Sequence, residues 1–209
     1  MNWKSIKRGW KKVWYFIWED DSWASWFVNI ILAFVLIKWI VYPVLGLLLA
    51  TSHPIVAVVS SSMEHDEGSF DAWWQSKAIC SDGYSCTQAE YYTSLGITKD
   101  EFEEFTFRNG FNRGDIMLLY RTKPEKVEPG DVIVFLANRP DPVIHRVVQT
   151  GQDDGTYIFK TKGDNNMDSF YFESYIPDDH YIGRAVFRVP YLGYIKIGFV
   201  MLLDVIGVI

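Results

Sequence analysis

Residues 27–50 form a run of 24 positions that is apolar except for Asn29, Lys38 and Pro43. As a helix this run covers roughly 36 Å, enough to cross a hydrocarbon layer of ~30 Å with some tilt. It is too long, and too poor in a small-residue exit site, to be a cleaved targeting peptide. The alternative is a buried core helix, but a soluble domain cut from 209 residues has little room to surround one. Residues 26–51 are therefore read as a transmembrane anchor. Snorkelling or a partner chain accommodates Lys38 within it.

Ahead of the anchor, Trp3, Ile6, Trp10, Val13, Trp14, Ile17 and Trp18 recur at spacings of mostly three and four, and Lys4, Lys7, Arg8, Lys11 and Lys12 occupy the opposite face. This is the pattern of an amphipathic helix lying on an anionic membrane surface, and residues 1–25 are assigned to it. The positive-inside tendency places that basic end in the cytoplasm and the domain after residue 51 on the far side. The whole chain carries a net charge of −6, which gives no electrostatic reason to expect a nucleic-acid partner. In an oxidising outer compartment the two cysteines, Cys80 and Cys86, read as a local disulfide across a short Gly- and Ser-containing loop.

Beyond the anchor the pattern is mainly β. Short β-branched segments at 54–59, 115–121, 132–135, 143–149, 156–161 and 181–189 are separated by turn signals such as Pro129-Gly130-Asp131 and the Gly-Gln-Asp-Asp-Gly run at 151–155. Closely spaced strands with polar turns predict an antiparallel, partly closed β domain over residues 52–197. Residues 64–112 interrupt it as an inserted, small helical subdomain. One helix is expected around 70–78 and another from the capping box Thr98-x-x-Glu101 to a stop at Asn109-Gly110. The tail 198–209 is apolar apart from Asp204, and both a second crossing and a membrane-dipping helix remain open for it.

A serine hydroxyl needs a neighbouring base before it acts as a nucleophile. Ser60, Ser61 and Ser62 end the first strand, and His145 stands inside the apolar run Val143-Ile144-His145-Arg146-Val147-Val148. Carboxylates follow on the loop Thr161-Lys162-Gly163-Asp164-Asn165-Asn166-Met167-Asp168. Each has a bland reading taken alone: a serine turn, a structural histidine, a polar loop.

Together they carry more. Residues 54–64, ending Ser60-Ser61-Ser62-Met63-Glu64, closely resemble the nucleophile segment of type I signal peptidases. Arg113-Gly114-Asp115, Gly130-Asp131-Val132-Ile133-Val134-Phe135, Ile144-His145-Arg146-Val147, Thr161-Lys162-Gly163-Asp164-Asn165-Asn166, Gly183-Arg184-Ala185 and Pro190-Tyr191-Leu192-Gly193 follow in that family's order. Bacterial-type members use a serine–lysine pair, whereas endoplasmic-reticulum and archaeal members carry histidine where the lysine would stand. His145 at that position aligns this chain with the second group. The resemblance implies a membrane-bound serine endopeptidase of signal-peptidase fold, cutting N-terminal signal peptides after small residues. In it Ser62 is the nucleophile, His145 its base, Ser60 an oxyanion donor, and Asp168 or Asp164 the group that orients the imidazole. A precursor lying extended along strand edges is expected to meet Val58, Val59, Val143 and Ile144.

Implied partners are signal-bearing precursors, the lipid bilayer and secretion-channel or accessory subunits, in a cell membrane or its endoplasmic-reticulum equivalent. No cofactor and no metal are called for. The chain departs from the family in three places. His65 stands where proline usually follows Met-Glu, the 64–112 insertion is extra, and Phe170 occupies the usual place of the orienting aspartate, with Asp168 the nearest carboxylate. The competing readings are a catalytically inactive, membrane-tethered β module that binds secreted proteins, and a metal cluster of Glu64, His65, Asp66 and Glu67.

Overall fold

The computed structural model describes residues 3–80, 83–137, 139, 141–195, 197–198 and 201, so most of the 198–209 tail lies outside the described residues. The chain divides into two compact units, residues 1–48 and residues 49–209.

In the first unit, α1 (Trp3–Trp18) is followed by a long apolar helix over Trp23–Leu48. Ser22 caps α2 (Trp23–Leu36) by accepting from Ser25 N. Ser25 Oγ and Asn29 Nδ2 in turn donate to the Phe16 and Ile17 carbonyls at 2.5 and 2.8 Å, satisfying carbonyls at the end of α1. The helix widens to π geometry over Ile37–Val41, just ahead of Pro43 in α3 (Tyr42–Leu48), where Tyr42 N bonds Ile37 O. Proline has no N–H to donate, and a π turn is one way a helix absorbs that loss. The Trp23–Leu48 helix is long and apolar enough to cross a membrane.

The second unit is built on one seven-stranded antiparallel sheet that curls into a half-barrel. In chain order its strands are β1 (Ile55–Ala57), β4 (Ile116–Tyr120), β5 (Val132–Phe135), β6 (Val143–Asp153), β7 (Thr156–Lys162), β8 (Ile176–Pro177) and β9 (Tyr181–Val189). Between β1 and β4 the chain forms α4 (Phe70–Trp74), the hairpin β2 (Lys77–Ile79)–β3 (Ser85–Thr87), α5 (Gln88–Ser94) and α6 (Lys99–Glu103). Spatial order in the large sheet is β1-β4-β9-β5-β6-β7-β8, with bulges in β4–β9, β5–β9 and β6–β7 that increase its coil.

β5 is buried on both faces. Val132 and Val134 join a core with Val58, Met63, Phe111, Met117 and Leu119, while Ile133 and Phe135 join another with Val143, Val147 and Phe159. The β6–β7 turn narrows to Asp154-Gly155, both at positive φ (46° and 83°), which suits a tight hairpin and carries β6 on to Asp153, beyond the expected 149. In the 64–112 segment the Thr98 capping box forms, but the helix it opens ends at Glu103, short of the expected stop at 109–110. The helix expected over 70–78 stops at Trp74, because residues 77–79 pair with β3 and Cys80 is disulfide-bonded to Cys86. The segment's aromatic core, Trp73, Trp74, Tyr91, Tyr92 and Phe102, packs on Val148 of β6.

Candidate active site

β1 runs on into residues 58–62, held to the start of β4 by Val58 N to Asp115 O (2.8 Å) and Gly114 N to Val58 O (2.9 Å). Met63 is buried beneath, so the serines just before it are held at the surface of the core. Ser62 Oγ lies 2.8 Å from His145 Nε2, across 83 residues of sequence. Ser60 Oγ lies 3.2 Å from Ser62 Oγ. His145 pairs with Ile133 of β5 in the middle of the sheet, which fixes its backbone, and the residue is 4% exposed.

The other ring nitrogen, Nδ1, is hydrogen-bonded to Glu173 Oε1, as an acid–base dyad requires of its orienting group. Glu173 is fully buried at the end of a 3₁₀ turn, Tyr171–Glu173, where Oε1 also accepts from Thr161 Oγ1 (3.0 Å) and Oε2 accepts from Phe170 N (2.8 Å). The aspartates expected there are elsewhere. Asp168 is exposed and accepts from Ser169 N, while Asp164 lies on the opposite face of β6. The sequence carried one sign of Glu173, a lone acid in the aromatic run Phe170-Tyr171-Phe172-Glu173. Such an acid is buried only when it is partnered.

Asp164 belongs to a second network. Arg146 meets it with Nε at 2.9 Å and Nη2 at 2.7 Å, His65 Nε2 lies 3.2 Å from Oδ2, and Trp73 Nε1 donates to its carbonyl at 3.1 Å. Burial works to raise its pKa, but the Arg146 charge and the hydrogen bonds from His65 and Arg146 outweigh it and hold the carboxyl well below the usual carboxylate range. His65 stacks on Trp73 with ring centroids 3.8 Å apart, so the histidine in place of the usual proline joins the insertion to this network. Glu64, His65 and Asp66 do not converge on one point. They serve Arg113 N, Asp164 and Asn165 respectively.

A cleft of roughly 510 Å³ opens over Ser62 and His145, walled by Ala57, Val59, Val143 and Ile144. Val58, expected in that wall, is 1% exposed in the core instead. Successive side chains of an extended segment point to opposite sides, so Ala57 and Val59 face the cleft and Val58 cannot.

No family model matches the chain. Curated proteins do. The signal peptidase complex catalytic subunit SEC11C of Homo sapiens is 34% identical over 94 residues, which is 42% of this chain and 49% of that protein. The SEC11 subunit of Plasmodium falciparum is 32% identical over 95 residues, 42% of this chain and 50% of its own length. That of Fusarium vanettenii is 34% identical over 94 residues, 42% and 55% respectively. The chain thus spans about half the length of the curated relatives it matches. Over that stretch it is similar to the catalytic subunits of signal peptidase complexes.

Proposed function

We propose that this chain is a membrane-anchored serine endopeptidase that removes signal peptides from secreted and membrane precursors, cutting after small residues. The observation that carries the reading is the 2.8 Å contact between Ser62 Oγ and a buried imidazole whose far nitrogen meets a buried carboxylate. The inactive-module alternative gives no reason to assemble those three groups at the floor of a cleft.

In this mechanism His145 Nε2 takes the Ser62 proton as Oγ attacks the scissile carbonyl carbon. Ser60 Oγ donates to the oxyanion that forms. Glu173 holds the Nδ1–H tautomer and stabilises the imidazolium. The proton then passes to the leaving amine, and a water activated by the same imidazole hydrolyses the acyl-Ser62 ester. The precursor lies extended between residues 57–59 and 143–144, where Ala57, Val59 and Val143 form an apolar wall suited to small side chains. The Trp23–Leu48 helix anchors the chain, α1 lies on the cytoplasmic surface, and the sheet unit faces the side on which translocated precursors emerge. Accessory subunits join it, as the relatives' names indicate for those proteins.

Ser62→Ala and His145→Ala, each purified in detergent, are expected to abolish cleavage of a signal-bearing precursor, a loss of at least ~10³-fold. Full activity in His145→Ala overturns the assignment.

A further inference from the structure

We propose that Gln88, in the inserted segment, is a positioning residue for the Ser62–His145 pair: its buried carboxamide grips both ends of the turn 163–166 on which the nucleophile rests. The inference builds on the peptidase reading and gives the insertion a part in it.

Gln88 opens α5 and is 2% exposed. Its Oε1 accepts from Lys162 Nζ (2.8 Å) at the start of the turn. Its Nε2 donates to the carbonyls of Asn166, at the end of the turn, and Lys77, in β2, both at 3.3 Å. Lys162 Nζ gives a further bond to Gly163 O at 3.1 Å and lies over the Tyr91 and Tyr92 rings at 5.2 and 5.6 Å. A carboxamide fits this place because it accepts from an ammonium and donates to two carbonyls at once. Glutamate keeps only the first capacity and leucine neither.

Between these two holds the turn supports the nucleophile. Asn165 N donates to Ser62 O at 2.8 Å, and Asn165 Nδ2 donates to Ser61 O at 3.2 Å. A Cβ added at Gly163 would stand 2.8 Å from Ser62 O and 2.9 Å from His145 Nε2, so the turn's backbone fills the space against both groups. Without slack there, displacement of the turn passes directly to the reacting atoms. Trp73 Nε1, bonded to Asp164 O, and Tyr91 OH, 3.1 Å from Ser169 Oγ, grip the same stretch from the insertion.

The test uses full-length Gln88→Leu, Lys162→Met and the double variant in detergent, beside wild type and Ser62→Ala. For Gln88→Leu the expected result is a fall in kcat of roughly 10²-fold with KM within twofold. The double variant no longer buries an ammonium that has lost its acceptor, so its melting temperature returns toward wild type while kcat stays low. Joint recovery of stability and rate, or a Gln88→Leu kcat within twofold of wild type, overturns the proposal. A second readout does not depend on cleavage: the His145 ring-nitrogen resonances, assigned in ¹⁵N-histidine-labelled protein with His145→Gln, are expected to shift in Gln88→Leu. Unmoved resonances also overturn it. If wild type itself fails to cut the precursor, the peptidase reading falls, and the resonances alone decide on Gln88.

Discussion

The two faces of β6 treat buried carboxylates in opposite ways. His145 projects to one face and meets Glu173, while Arg146, the next residue, projects to the other and meets Asp164. Asp164 has a permanent countercharge, since two guanidinium nitrogens and His65 contact it directly. Glu173 is bonded by a hydroxyl, a backbone N–H and the imidazole, and among the described residues no cation hydrogen-bonds it. A carboxylate whose charge is already matched ties elements together. One whose match appears only when the neighbouring imidazole gains a proton favours the arrival of that proton. Neighbouring residues of one strand thus reach two unlike sites, one that ties the fold together and one that, on the proposed function, serves the chemistry.

Neutralising each acid tests that contrast most directly. Glu173→Gln keeps the volume but cannot stabilise an imidazolium and no longer enforces the Nδ1–H tautomer. A drop in kcat of roughly 10³–10⁴-fold is expected in a precursor assay, with an intact cooperative melt. A rate within tenfold of wild type would assign the orienting role to another group.

Asp164→Asn should show the reverse pattern. It leaves the Arg146 guanidinium buried without a countercharge, a change that costs about 3–5 kcal/mol of stability, while the folded fraction keeps most of its kcat. Acid sharpens the point. The folded-state pKa of Asp164 is depressed, so the stability it confers is present above the unfolded value of about 3.9 and is lost as pH falls through the lower, folded one. Melting temperature between pH 5 and pH 2 should therefore fall more steeply in wild type than in Asp164→Asn.

Lys162 extends the comparison to alkaline pH with a smaller effect. Burial lowers its ammonium from 10.5 to about 8, with Arg146 acting in the same direction and Asp164, Glu173 and Asp168 opposing. Between those two values the unfolded chain binds a proton that the folded chain has released, so stability rises with pH. Wild type should gain in melting temperature on Lys162→Met from pH 8 to 10, and parallel curves would show that the amine does not titrate in that window.

The smallest expected effect concerns the residue that sequence reasoning preferred as the orienting acid. Ser62 and His145 were legible because each carries a local signature, a strand-ending serine run before Met63 and a histidine in an apolar strand, in the order a known family uses. The sheet was legible through its alternation and turn residues. The third group's one sign, a lone acid in an aromatic run, is weaker and matches no position in the family's order. Counting along the loop from Gly163-Asp164 leads to Phe170, with Asp168 the nearest carboxylate, whereas Glu173 reaches the imidazole from a 3₁₀ turn whose Phe172 packs against the β5–β7 core, a long-range contact. Val58 was misplaced by one step of strand parity, and the three-residue strands β2 and β3 are too short to display a period. Asp168 is exposed and its carboxylate accepts from the neighbouring Ser169 N at 2.7 Å. Asp168→Asn should therefore leave kcat within about twofold and the melting temperature essentially where it was, as surface substitutions generally do. A fall in kcat comparable to that of Glu173→Gln would mean that the loop rearranges when a precursor is bound and that Asp168, after all, reaches the ring.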